Sequence, residues 1–120
     1  YLVLNLNDKK KDIRNLIKQI EISIIEFLKL YSIEGYTDKE NIGIWVNGKK
    51  IAAIGIRVSR WIAYHGCSIN INNNLKHYKK IIPCGLDNSK ITSVQNENKN
   101  KKINIERNLK IIFIKNLKNV

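Results

Sequence analysis

Methionine is absent from this chain, and proline occurs once, at Pro83. Without an initiator methionine, the chain opens inside the strand-like run Tyr1-Leu2-Val3-Leu4-Asn5-Leu6, the pattern of a piece of a longer protein. Acidic residues are scarce: 10 Asp and Glu stand against 22 Lys and Arg, a formal charge of +12. No run approaches the ~18 apolar residues that mark a membrane-spanning helix, and no signal-peptide pattern is present. The expectation is a cytoplasmic protein, or one of an organelle matrix if the source is eukaryotic. Two cysteines, Cys67 and Cys84, are too few for a disulfide framework and read as thiols in a reducing compartment.

A hydrophobic share of 43% over 120 residues supports a core, as one small domain or part of a larger one. The positive charge permits nucleic acid, acidic membrane or acidic protein partners. It is mostly lysine, however, and comes with abundant Asn and Ile, the trio that an AT-rich genome produces whatever the function. The runs Lys9-Lys10-Lys11 and Lys99-Asn100-Lys101-Lys102 carry no interleaved aromatics and read as solvated connecting segments. Neither a nucleic acid nor a membrane partner is expected.

Periodicity organises the chain. Ile13, Leu16, Ile17, Ile20, Ile24, Phe27, Leu28 and Tyr31 follow helical spacing, with Asp8 or Asp12 as candidate cap. Residues 42–46 and 49–58 flank Asn47-Gly48, a strong hairpin signal. A further strand is expected over about 61–71, then a helical turn over 75–80. Residues 95–102 form a polar connecting segment. In the last stretch, residues 103–117, Ile105, Leu109, Ile112 and Phe113 suit a helix, although Ile111-Ile112-Phe113-Ile114 also suits a strand; a helix is expected. The pattern is α+β, a mixed or antiparallel sheet packed with helices, in a single partial catalytic domain over residues 1–120.

Two residues carry candidate chemistry. Cys84 sits in the turn-like stretch Ile81-Ile82-Pro83-Cys84-Gly85-Leu86, which presents a thiol rather than enclosing it. Lys50 opens the apolar run Ile51-Ala52-Ala53-Ile54-Gly55, and strand alternation puts it on the face of Ala52, Ile54, Ile56 and Val58. Desolvation there favours the neutral amine, whereas a nearby thiolate favours the ammonium, so the pair titrates together. A cysteine nucleophile stabilised by an ammonium is what acyl transfer requires. A strand-end lysine snorkelling to water fits the same spacing. His65 falls on the strand face of Trp61, Ala63 and Ile69, which reads as a histidine of the core or one that backs the residues touching substrate; Trp45 and Trp61 read as core. A zinc site from His65, Cys67, His77 and Cys84 lacks ligand-pair spacing, and no metal is expected.

The span from Gly43-Ile44-Trp45-Val46 through Lys50-Ile51-Ala52-Ala53-Ile54-Gly55 and His65-Gly66 resembles the octanoyltransferases of lipoate biosynthesis. The likeness continues through Asn70-Ile71-Asn72, Pro83-Cys84-Gly85 and Ile91-Thr92-Ser93-Val94, in order and at the family's spacing. The resemblance implies the lipoate/biotin protein ligase-like fold, lacking its N-terminal part. It further implies that Cys84 takes an octanoyl group from acyl-carrier protein as a thioester, and that the group passes to a lysine of an acceptor. The acceptors it implies are lipoyl domains of 2-oxoacid dehydrogenase complexes and the glycine cleavage H protein. Lys50 becomes the partner that lowers the thiol pKa and shuttles protons. Ala53, Ile54 and Gly55, with Gly66, Cys67 and Ser68, correspond to substrate-binding segments. No cofactor is implied.

The family's Arg-Gly-Gly and His-Gly-Pro-Gly-Gln motifs are missing, and Cys67 stands where the family usually has an apolar residue. An inactive fragment, an ATP-using lipoate or biotin ligase relative, and a noncatalytic basic binding module are the competing readings. Residues 1–120 alone are expected to be poorly active and marginally stable, because apolar faces would be left uncovered. Octanoyl transfer by this chain at the rate of a complete homologue would overturn that expectation.

Overall fold

Asp12 starts the first helix: its Oδ1 accepts the Asn15 N–H at 3.0 Å, the usual way a short polar side chain satisfies an unpaired helix donor. In this computed structural model, which describes residues 1–72, 90–99 and 104–120, that helix, α1, spans Ile13–Lys29. Leu16, Ile20, Ile24, Phe27 and Leu28 form its buried stripe, each fully enclosed. The helix ends through Leu30 and turns at Ser32, whose φ is +58°.

The strands are β1 (Leu2–Asn5), β2 (Ile44–Val46), β3 (Lys49–Ser59) and β4 (Ile62–Ile69). Among the described residues they form an antiparallel sheet in the order β1-β4-β3-β2, and α1 packs on β2, β3 and β4. This is the expected α+β class. Asn47 and Gly48, with φ of +50° and +77°, make the β2–β3 turn that their sequence announces. Val46 pairs with Lys49 and Trp45 with Lys50, but Ile44 pairs with Ala52. Ile51 is therefore an extra residue on β3, and Ile51 and Ala52 are buried in succession. From Ala53 onward the strand alternates as expected: Gly55, Arg57 and Ser59 are exposed, whereas Ile54, Ile56 and Val58 pack against the core.

The last segment is helical: α3 spans Ile105–Leu117, capped by Asn104 Oδ1 on the Arg107 N–H at 3.1 Å. Its apolar run resolves with helical period, since Ile112 is buried while Ile111 and Ile114 are half exposed. α3 packs against α1 through a buried polar contact. Asn116 Nδ2 donates to Ser23 Oγ at 3.0 Å, and Ser23 Oγ donates to the Gln19 carbonyl at 2.7 Å. A short helix, α2 (Val94–Glu97), takes up the start of the segment expected to be an irregular connection. Ser93 Oγ caps it by accepting the Asn96 N–H. No described helix is long and apolar enough to cross a membrane.

The β3–β4 turn has no sequence signal. Ser59 pairs with Ile62, so Arg60 and Trp61 alone make the reversal, with φ of +50° and +63°. Left-handed backbone costs a residue with a Cβ about 1–2 kcal/mol. The loop after β1 holds it in place: Leu6 N–H donates to the Trp61 carbonyl at 2.7 Å, and Asn7 Nδ2 to the Arg60 carbonyl at 3.1 Å. Lys11 Nζ lies 5.5 Å from the centre of the Trp61 ring. Trp61, expected in the core, is therefore a turn residue with 37% exposure. Arg60→Asn is expected to stabilise the protein by several tenths of a kcal/mol, and Arg60→Val to destabilise it by about 1 kcal/mol. Urea unfolding of the two variants checks the order.

Candidate active site

Lys50 heads β3 at a junction of several backbone ties. Its carbonyl accepts the Thr92 N–H at 3.0 Å, and Lys50 forms an isolated parallel bridge with Ile91. Beside it, the Ile51 carbonyl accepts the Asn70 N–H at 2.9 Å. Asn70 then reaches across: its Nδ2 donates to the Thr92 carbonyl at 3.2 Å, and its own carbonyl accepts the Val94 N–H at 2.8 Å. Thr92 Oγ1 donates to Glu97 Oε1 at 2.6 Å, and Thr92 and Ser93 are each only 2% exposed. Residues 91–94 thus close the ends of β3 and β4 together through paired backbone groups.

The Lys50 side chain is half-buried, with Nζ 6.0 Å from the centre of the Trp45 ring. Trp45 is a core residue, as expected, and its indole N–H donates to the Asn41 carbonyl at 3.0 Å. Beneath the lysine stem lies Gly43, whose φ is +136°. A methyl group on Gly43 would fall 2.6 Å from Lys50 Cε and 2.7 Å from the Ala52 carbonyl oxygen.

The two candidate substrate-binding segments are neighbours. Ala53 pairs with Ser68, Ile54 with Cys67, and Gly55 with Gly66, three consecutive rungs of the β3–β4 ladder. Paired residues share a face, so Ile54 and Cys67 lie on the helix side and the other four on the opposite side. There Gly55 and Ser68 are exposed, and no described residue stands within 4 Å of where a Gly55 Cβ would be. Burial pushes the Cys67 thiol above its ordinary pKa. Cys67 is therefore a neutral wall residue rather than a thiolate at pH 7.

His65 is exposed rather than enclosed: Ala63, two residues earlier, is fully buried, whereas the backbone at His65 and Gly66, with φ of +76° and +126°, departs from regular strand geometry. The kink brings its ring to 4.8 Å from that of Tyr64. A groove of 460 Å³ runs beside it on the helix side, walled by His65, Gly66 and Cys67 and by Leu109, Phe113 and Leu117 of α3. Lys50, Ala53, Ile54, Gly55 and Ser68 are not in its lining.

Cys84, with residues 75–80 and 81–86, lies outside the described residues. So does His77. Among the described residues no group of three or more His, Cys, Asp or Glu could hold a metal ion. Asn70, Thr92 and Gly43 lie within the family motifs but carry no side chain whose type announces a role. The signal for Gly43 was a glycine directly before a strand, but spacing cannot show which side chain crosses it.

The model of the lipoyl protein ligase A/B catalytic domain matches residues 1–114. An octanoyltransferase of Bartonella tribocorum is 42% identical over 109 residues, covering 80% of this chain and 44% of its own length. One of Clostridium kluyveri is 38% identical over 118 residues, covering 94% of this chain and 51% of its own. The chain thus spans about half the length of the curated relatives it matches. Among solved structures, a biotin protein ligase from Aquifex aeolicus superposes with a TM-score of 0.72 at 18% identity, over 98% of this chain and 51% of that one. That likeness is one of fold. With the match running from the first residue through most of α3, and the octanoyltransferase identities over the same strands, this chain belongs to the lipoyl protein ligase A/B catalytic domain family.

Proposed function

We propose that this chain carries the cysteine–lysine half of an octanoyltransferase that moves an octanoyl group from acyl-carrier protein to a lysine of a lipoyl domain. The observation that carries the reading is the 38% identity to an octanoyltransferase over 94% of this chain. The placement of Lys50 at a rigid strand junction supports it, because a proton-transfer group acts only from a fixed position.

In the first step the Cys84 thiolate attacks the donor thioester carbonyl, and the carrier thiolate leaves, taking a proton from the Lys50 ammonium, which becomes a neutral amine. Exchange of one thioester for another is nearly isoenergetic, so the acyl-enzyme forms reversibly. In the second, the acceptor ε-amine attacks the same carbon, Cys84 leaves as thiolate, and the amine's proton passes to Lys50. The amide product makes this step downhill. Lys50, as ammonium, stabilises the thiolate that each step needs. Ala53, Ile54 and Gly55, with Gly66, Cys67 and Ser68, receive the acyl chain, and His65 supports this segment from its kink. The reading needs neither metal nor nucleotide and places the work in the cytoplasm, with lipoyl domains and the glycine cleavage H protein as acceptors. The basic chain steers acidic protein partners.

Intact mass after incubation with octanoyl-carrier protein tests the mechanism. A hydroxylamine-labile octanoyl adduct is expected, absent in Cys84→Ala and formed roughly 10²–10⁴-fold more slowly in Lys50→Ala. If this chain alone gives no adduct, the assay is repeated with the N-terminal half of an octanoyltransferase relative supplied. An adduct that appears only then assigns the missing function to the supplied half. No adduct in either form, or transfer that requires ATP, overturns the reading.

A further inference from the structure

We infer that Gly43 and Trp45 are positioning residues for the Lys50 amine: the glycine gives the lysine stem its path, and the indole ring fixes where the stem ends. The inference rests on the proposed role of Lys50 for its catalytic meaning, though not for its geometry.

A lysine side chain is four flexible carbons ending in a strongly hydrated ammonium, and at a strand end it ordinarily extends into water. Lys49, the preceding residue, is exposed. Lys50 instead folds back across the β2 side of the sheet. Its Cε passes so close to residue 43 that any side chain there would collide, at 2.6 Å, and even Nζ would lie only 3.4 Å from the new carbon. The backbone at Gly43, with φ of +136°, is itself one that L side chains rarely adopt. Conformation alone accounts for a glycine here. It does not account for a half-buried lysine choosing to lie over it.

Trp45 supplies the second constraint. It is the cross-strand partner of Lys50, and its ring stands 6.0 Å from Nζ, at the outer limit of a cation–π contact. The ring cannot swing away. Trp45 is 6% exposed, its indole N–H is bonded to the Asn41 carbonyl, and its backbone exchanges two hydrogen bonds of 2.9 Å with Tyr36. The extra residue at Ile51 matters here as well. By resetting the register between Lys50 and Ala52, it sets Lys50 opposite Trp45 while Ile44 stays paired in the core. Behind Lys50, the Thr92 hydrogen bond holds the strand head from the other edge. A side chain rich in rotamers is thereby confined before any substrate arrives, which lowers the entropy cost of using it.

Protein labelled with ¹³C-lysine, with the Lys50 signals assigned from Lys50→Arg, tests the cradle directly. The expected spectrum has Lys50 Cε–Hε resonances displaced from the cluster of exposed lysines by the indole ring, with a nuclear Overhauser contact to the Gly43 Hα protons. Trp45→Leu should return these resonances to the cluster, and Trp45→Phe should keep part of the displacement. A wild-type Lys50 signal lying within the exposed cluster and lacking the Gly43 contact overturns the inference, with no variant needed. So does an unchanged signal in folded Trp45→Leu. The acyl-adduct assay then reads the role: Trp45→Leu is expected to slow adduct formation several-fold in the wild-type background and to add nothing in Lys50→Ala. Equal losses in both backgrounds would make Trp45 merely structural. A wild-type protein that shows the cradle but never forms an adduct would instead sink the octanoyl-transfer reading and leave the geometry standing.

Discussion

Burial of the α1 stripe against β2, β3 and β4 is the constraint on which the other features depend. Leu16, Ile20, Ile24, Phe27 and Leu28 are each fully enclosed, and burying such a side chain is worth about 1.5–3 kcal/mol. The opposing sheet residues, Ile44, Val46, Ile51, Ala52 and Ala63, are equally enclosed. Once this face is fixed, register follows, because slipping any strand by one residue would turn its apolar set outward. By comparison, the exposed Lys115–Glu26 ion pair between α3 and α1, at 2.8 Å, adds little. The buried Asn116–Ser23 hydrogen bond does more for the docking of α3, since leaving either group unsatisfied in the interior would be costly.

Register, once set, determines what the ends of β3 can do. A strand packed throughout cannot place a charged residue in its middle without a counter-charge. β3 is not packed throughout: Arg57 stands on its exposed face, and Lys50 at its head beside the bulge at Ile51. The tie from residues 91–94 to Lys50 and Asn70 then acts on backbone groups that would otherwise sit at a sheet edge with unpaired N–H and C=O. Edge satisfaction and lysine placement are thus accomplished by the same hydrogen bonds. Changes in Asn70 or Thr92 therefore cannot be purely local to either.

Much of this architecture was readable in the residue order, and what was not has identifiable causes. α1 was legible because its apolar spacing is unbroken over four turns and Asp12 stands at the right place. The Asn47-Gly48 turn was legible because those residues tolerate positive φ. Arg60 and Trp61 adopt the same backbone region with neither advantage, stabilised by Leu6 and Asn7 from far away in sequence. No local pattern carries that information. α3 was ambiguous because four consecutive apolar residues fit either period, and a cap at Asn104 with a buried Asn116 decides it. The exposure of His65 was not legible, because alternation gives a residue's face but not the kink at His65 and Gly66 or what covers that face. For the candidate site, the family motifs marked Lys50 and the two strand segments. Their pairing, and the lysine's course over Gly43, depend on a cross-strand register that spacing does not contain.

That register also separates two kinds of surface on one pair of strands. On the helix side, Ile54 and Cys67 complete apolar packing, and a change of volume there is felt by the core. On the other side, Ala53, Gly55, Gly66 and Ser68 present small side chains, so the backbone itself is close to whatever approaches. Among the described residues, Gly55 has open space where a Cβ would stand, whereas Gly66 has Leu2 within 3.3 Å. The two glycines therefore serve different ends, although they are directly paired. Gly66 is required by its own conformation and by the adjoining β1 strand. Gly55 is required by neither, since its φ is unexceptional and no described residue stands where its Cβ would be. At position 55 the β3 backbone is therefore open, among the described residues, on the face of the sheet opposite α1.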